Sequence, residues 1–314
     1  MCSSQARNNA GYNDTSRGAR ITRIVHQTWK NESIPKVAVN WIKKWQKTNP
    51  DWEYWFWTDK DVEIFFQKKY PQFLNLYKNF PRSHAAIQRA DMMRYFILYE
   101  YGGVYADLDL EPMKSLNPIS DRYPCIFSEE PEEHSKILRP KYLNEYGALV
   151  CNAFIACRPG HPFLKYILDH LEESFNKTLK TKSVMYSTGP AMVSVLHAEY
   201  IKSRPDLCHN ERDRAIVADS KYFMGIYDGS QTPKLAHMCA TKENLPEFRS
   251  KACERLIRRM FQNRPGKDTY TVHHWFHTWT PKGQKYLPQK GHPAIHIKEV
   301  LPKAKLVGDM FGFQ

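Results

Sequence analysis

The sequence predicts an α/β fold, a mixed and mostly parallel sheet with helices on both faces. Three observations carry that expectation. Short β-branched or aromatic runs alternate with helical periodicities along the chain, and glycine or proline punctuates them. The 314 residues, 42% hydrophobic and 13% aromatic, are enough to bury a large core.

In order, the polar stretch Met1–Arg20 has no periodicity and reads as a disordered tail. Ile21–Trp29 is β-branched and reads as the first strand, and Pro35 opens a helix that reaches Lys47. The turn Asn49-Pro50-Asp51 leads into Trp52–Thr58, an aromatic buried strand, and Asp59 is placed to cap the next helix. Pro81–Tyr101 reads as one helix that stops at Gly102-Gly103. Val104–Leu108, Tyr123–Ser128 and Ala148–Cys157 read as strands, His161–Ser174 and Pro190–Tyr200 as helices, and Tyr270–His274 as a late strand. No repeat or linker divides the chain. Residues 21–280 are expected to form the catalytic domain and residues 281–314 a basic C-terminal extension.

The net charge of +13 suits phosphate-bearing partners without choosing among nucleic acid, anionic membrane and sugar nucleotide. Seven scattered cysteines lack a Cys-x-x-Cys pair, which argues against a structural zinc site. Cys208, Cys239 and Cys253 are open to a disulfide or to free thiols. No run approaches the ~18 apolar residues of a spanning helix, and no signal peptide or anchor is visible. Asn-x-Ser/Thr sequons begin at Asn13, Asn31 and Asn176.

The chemistry concentrates at Asp107-Leu-Asp109. On a strand these carboxylates would face one side and share a divalent cation, Mn²⁺ or Mg²⁺, which completes its shell with substrate phosphates. Tyr105 and Leu108 would then face the other way. In the preceding helix, Ile87, Ala90, Ile97, Leu98 and Tyr101 form an apolar stripe at ~100° per residue that includes Asp91 and Arg94, three residues apart and able to pair. That pair is open to two readings, a buried tie between helix and sheet or a polar pair delivered to a cleft. Arg89, on the opposite face, reaches phosphate only if that face also lines the site.

These runs occur together. Ile24-Val-His-Gln-Thr-Trp29, Asn49-Pro-Asp-Trp-Glu-Tyr54, Trp57-Thr-Asp59, Arg89-Ala-Asp-Met-Met-Arg94 and Tyr101-Gly-Gly-Val-Tyr-Ala-Asp-Leu-Asp109 stand in that order. Asn152, Ser187-Thr-Gly-Pro190 and His273-His-Trp-Phe-His-Thr-Trp279 follow. The combination, spanning most of the chain, resembles glycosyltransferase family 32, in particular its inositol-phosphoceramide mannosyltransferase catalytic subunits and outer-chain α-1,6-mannosyltransferases. The resemblance implies a GT-A fold, with a Rossmann-like sheet and an acceptor region, and transfer with retained anomeric configuration. It implies that Trp29 stacks on the nucleotide base, that Asp91 and Arg94 hold donor-sugar hydroxyls and phosphate, and that Asp107 reaches ribose or sugar while Asp109 binds the metal. It implies that His273 is a further metal or diphosphate contact and that Trp279 closes over the donor. Tyr105 is also expected at the donor site, and Asn152 is open to a sugar-hydroxyl contact there or to a satisfied core amide in the apolar run Ala148–Ala156. The donor it implies is GDP-mannose first, with UDP-galactose or UDP-N-acetylglucosamine second. The acceptor is a lipid headgroup or glycan, with membrane association and a Golgi location; a cytosolic location is the alternative.

Two rival functions predict other signatures. A phosphohydrolase using Asp107 as nucleophile would need a later Ser or Thr and a Lys around an acidic pair, and no persuasive set is present. A basic nucleic-acid- or glycan-binding protein would interleave aromatics with basic residues on one face and ignore manganese. Nucleic acid is therefore not expected as a partner. Among the thirteen histidines, a strand would set His273 and His274 on opposite sides, so only part of the histidine cluster is expected to meet one ion.

Overall fold

The computed structural model describes residues 21–81, 84–179, 183–240, 246–260, 262–277 and 294–312. The expected tail at residues 1–20 and the cover residue Trp279 lie outside them.

The amino-terminal half begins with β1 (Ile24–Trp29), β2 (Ser33–Pro35), α1 (Val39–Thr48), β3 (Glu53–Thr58), α2 (Asp59–Lys69), α3 (Pro71–Lys78) and α4 (Ala85–Tyr101). Next come β4 (Gly103–Ala106), β5 (Leu110–Pro112), α5 (Asn117–Ser120), β6 (Cys125–Glu129) and β7 (Val150–Cys157). The second half holds α6 (Pro162–Thr178), α7 (Val184–Ser187), α8 (Pro190–Ser203), β8 (Ile216–Ala218), α9 (Ser220–Phe223), α10 (Thr232–Ala240) and α11 (Glu247–Arg259). It closes with β9 (Thr271–His273), β10 (Ala294–His296), α12 (Ile297–Val300), β11 (Lys305–Leu306) and α13 (Val307–Phe311).

A seven-stranded sheet in the order β11-β3-β1-β4-β7-β6-β8 is the spine. Neighbours are parallel except β7, which runs antiparallel to both β4 and β6. The α/β expectation of a mixed, mostly parallel sheet therefore holds. Alternation along β3 sends Trp55 and Trp57 into a core shared with α2, α4, α6 and α8, while Tyr54 and Phe56 enter a second core with α1 and α12. Helices thus cover both faces.

Several sequence expectations are corrected. Thr58, not Asp59, caps α2: its hydroxyl accepts from the Asp61 amide, and the Asp61 carboxylate accepts from the Thr58 amide in return. Helix α4 starts at Ala85 rather than Pro81, and every residue from Asp91 to Leu98 is buried. Over that stretch the helix is enclosed on all sides rather than carrying a single apolar stripe. The late strand is only Thr271–His273 and pairs with β5 in a separate two-stranded sheet. The segment expected to be a basic extension enters the fold: β11 pairs with β3, and Ile297 and Val307 are fully buried. A boundary at residue 280 therefore does not separate it from the catalytic domain.

The cysteine alternative resolves toward pairing. Cys239–Cys253 joins α10 to α11, Cys125–Cys157 bridges facing positions on β6 and β7, and Cys208 is also disulfide-bonded. Among the described residues Cys151 is the free, buried thiol. Disulfides of this kind form and persist in oxidising compartments.

His26 in the middle of β1 is fully buried and locked neutral. Its Nε2 donates to the Gly102 carbonyl at 2.9 Å and its Nδ1 accepts from the Trp57 indole at 3.2 Å, so a second proton would set two donors against each other. Burial, against the Gly102 bond, pulls its pKa down to about 4. Between pH 6.5 and about 4 the unfolded chain takes up a proton that the folded chain refuses, so stability rises with pH across that window. Acidification through it is expected to remove about 3 kcal/mol at this residue. Urea-midpoint series should show a shallower acid loss for His26→Gln than for the parent. Parallel curves would show that His26 is not responsible.

Candidate active site

Parallel β3, β1 and β4 end together at Thr58, Trp29 and Ala106, with Trp29 paired to Thr58 across the ladder. Ligands of open α/β sheets sit outside such carboxyl ends, where connections diverge to either side. A cavity of about 330 Å³ lies there, lined by Trp29, Asp59, Arg94, Asp107, Asp109 and His273 among others.

The chain reaches this position through two residues only glycine suits. Gly102 and Gly103 have φ of 64° and 98°, and a Cβ on either would lie 2.5 Å from Pro159 or 2.6 Å from the Ile24 carbonyl. Strand β4 ends at Ala106, so the aspartates are not on a strand as the sequence suggests. Asp107-Leu-Asp109 forms a turn closed by the Leu110 amide donating to the Asp107 carbonyl at 2.9 Å. The turn, rather than strand alternation, brings the carboxylates together. Tyr105 does not face away as expected: its hydroxyl donates to Asp107 Oδ1 at 2.9 Å, because period-two alternation sets residue 105 on the same side as 107, not opposite it.

His273 completes the group from β9. Its Nε2 lies 3.3 Å from Asp109 Oδ1, while Asp109 Oδ2 accepts from the Phe276 amide at 2.7 Å. One potential ligand atom each from Asp107, Asp109 and His273 falls within 4.8 Å of the others. Two hard carboxylates plus an imidazole suit Mn²⁺, and less closely Mg²⁺. Burial raises the Asp107 carboxyl, Arg94 opposes it, and the neighbouring Asp109 charge adds to the rise. Burial also pushes Asp109 up, but His273 and the Phe276 amide outweigh it and hold the carboxyl at about 2. Adjacent carboxylates under mutual repulsion fit a cation site.

Behind them Arg94 is 1% exposed. It donates to the Asn152 carbonyl at 2.6 Å and the Ala90 carbonyl at 3.1 Å, and pairs with Asp91 at 3.2 Å and Asp107 at 3.3 Å. Its guanidinium also lies over the Tyr105 ring. Asp91 does not line the cavity; it accepts from Asn152 Nδ2 and Thr188 Oγ1, and burial, against Arg94, lifts its pKa to about 7. Asn152 does not line it either, since its amide donates to Asp91 and to the Tyr95 hydroxyl. Both readings of the Asp91/Arg94 pair thus apply in part: it ties α4 to β7, and its arginine alone reaches the cavity. Trp29 reaches the wall with its indole nitrogen buried and unpaired. Arg89 lines the cavity while donating to the Tyr77 and Lys78 carbonyls.

Residues 35–126, which contain the paired aspartates, match the family model described as glycosyltransferase sugar-binding region containing DXD motif. Inositol phosphoceramide mannosyltransferase 3 of Schizosaccharomyces pombe is 34% identical over 189 residues, covering 60% of this chain and 48% of that protein. Over the matched residues the chain is similar to glycosyltransferases with a DXD motif. A second relative, the initiation-specific alpha-1,6-mannosyltransferase of Candida albicans, is 25% identical over 231 residues, 64% of this chain and 60% of that protein. The chain spans about half the length of the inositol phosphoceramide mannosyltransferases of Schizosaccharomyces pombe that it matches. Among solved structures, the PaToxG glycosyltransferase aligns with a TM-score of 0.46 and 17% identity over 80% of this chain and 89% of that one.

Sequence reasoning missed Thr188, Asp59, Tyr77, Asp228 and His277 as parts of this candidate site or its support. Thr188, Asp59 and His277 stood inside the quoted motifs; Asp228 carried no local signal.

Proposed function

We propose that this chain is a Mn²⁺-dependent retaining hexosyltransferase that moves mannose from GDP-mannose to a hydroxyl of a lipid headgroup or glycan. The observation that carries the reading is the Asp107–Asp109–His273 group lining a cavity that Trp29 also lines. GDP-mannose is preferred because the relatives are named mannosyltransferases.

Asp107, Asp109 and His273 would hold the ion, which when bound offsets negative charge on the leaving diphosphate. Trp29 offers an aromatic face to the base. Arg94 fixes the Asp107 carboxylate and adds positive charge beside the diphosphate, and Asp91, held by Asn152 and Thr188, keeps the guanidinium in place. Secretory-pathway residence agrees with the disulfides. No helix among the described residues is long and apolar enough to cross a membrane.

The test is a panel of GDP-mannose, UDP-galactose and UDP-N-acetylglucosamine assayed for hydrolysis with Mn²⁺ or with chelator. GDP-mannose should be turned over fastest, and chelator should stop the reaction. Equal rates in both conditions, or faster turnover of a UDP-sugar, would defeat the metal or the donor assignment respectively.

A further inference from the structure

The second histidine of the His273-His274 pair has no role in the scheme above. The two turn to different partners. His273 meets Asp109, whereas His274 Nε2 lies 2.9 Å from Glu111 Oε2 on β5. A carboxylate only accepts, so Nε2 carries the proton of that bond. The other Glu111 oxygen accepts from Lys44 on α1. Burial raises the Glu111 carboxyl, but Lys44 and His274 outweigh it and keep it below its ordinary range. Trp41, also on α1, stacks on the His274 ring with centroids 4.0 Å apart and planes 10° apart. None of these four residues lines the cavity.

They stand behind the candidate ion ligands. The His274 amide donates to the Asp109 carbonyl at 3.0 Å, and the Phe276 amide donates to Asp109 Oδ2 at 2.7 Å. Trp41 lies against the rings of both residues that hold Asp109, since the Phe276 centroid is 5.1 Å from its own. Trp275 between them and His277 after them have φ of 56° and 49°, left-handed values that non-glycine residues keep only where surrounding contacts impose them. Helix α1 is seated without these contacts, because the Trp45 indole donates to the Leu110 carbonyl at 3.1 Å and Ile42 is buried in the core. What the His274 contacts add is a fixed path for the backbone that carries His273 and grips Asp109.

We propose that His274, held by Glu111, Lys44 and Trp41, is a positioning residue of the cation site, keeping His273 and Asp109 at the spacing a divalent ion requires. The proposal rests on the reading of Asp107, Asp109 and His273 as an ion site. Ligands already held in place lose little freedom when an ion arrives, whereas loose ones must be ordered at a cost in affinity. Removing the partners that orient metal ligands lowers metal affinity about 10- to 100-fold.

The test is titration of the full chain with Mn²⁺ alone, the free ion read by its electron paramagnetic resonance signal, with the metal-free melting temperature measured alongside. His274→Phe keeps a ring against Trp41 but offers Glu111 no donor, and Glu111→Leu removes the acceptor. Each should weaken Mn²⁺ binding about 10- to 100-fold, while the metal-free melting temperature stays within about 4 °C of the parent's. Glu111→Gln keeps an oxygen for His274 while the half-exposed Lys44 turns to water, so it should bind Mn²⁺ nearly as the parent does. A residue that merely braced the fold would not show that rescue. Parent-like affinity in both His274→Phe and Glu111→Leu would overturn the proposal. Equal losses of affinity and melting temperature in all three variants would overturn it in favour of a brace. A parent chain that binds no Mn²⁺ would instead defeat the ion-site reading on which it rests.

Discussion

Asp109→Asn is expected to lower Mn²⁺-dependent turnover about 1,000-fold, equivalent to about 4 kcal/mol of transition-state stabilisation, while leaving thermal stability near the parent's. Asparagine keeps an oxygen for the Phe276 amide, which Asp109 holds at 2.7 Å, but removes the charge that a cation requires. Asp109→Ala should lose the same turnover and stability as well. Without that acceptor, the Phe276 amide and the left-handed residues beside it lose their anchor. Turnover, Mn²⁺ binding by titration calorimetry and melting temperature separate the two effects. Parent-like Mn²⁺ affinity in Asp109→Asn would remove Asp109 from the metal site.

Arg94→Met should be the most destabilising single change in the molecule, by about 3–5 kcal/mol. The guanidinium is 1% exposed and lies between Asp91 and Asp107, so its loss leaves a fully buried and a partly buried carboxylate without this counter-charge and removes its side-chain donation to the Asn152 and Ala90 carbonyls. Arg94→Lys should rescue little, because one ammonium cannot reach Ala90, Asn152, Asp91 and Asp107 as a planar fork does. Adding Asp91→Asn to Arg94→Met should recover part of the loss by removing one of the orphaned charges. Urea unfolding measures all three; a cost below about 1 kcal/mol for Arg94→Met would mean that the carboxylates are neutral or solvated without it.

The parts legible in sequence were those whose signal is local. Strands β1, β3 and β7 follow from β-branched and aromatic runs, and the stop at Gly102-Gly103 follows from backbone conformations that side chains resist. The Asp91/Arg94 pair followed from helical spacing. The same local logic misled at Asp107-Leu-Asp109, because period-two alternation applies only while the chain remains a strand, and β4 had already ended.

The sequence by itself determined the α/β class, the residue types of the candidate cation site and the order of the motifs, since each depends on near neighbours and short-range sterics. Tertiary structure decided what meets what. Phe276 reaches Asp109 across 167 positions, His277 reaches Asp228 across 49, and β11 closes the sheet edge on β3. These contacts form only after distant segments are packed together, and the free energy that selects them comes from burial and chain closure, which no window of neighbouring residues contains.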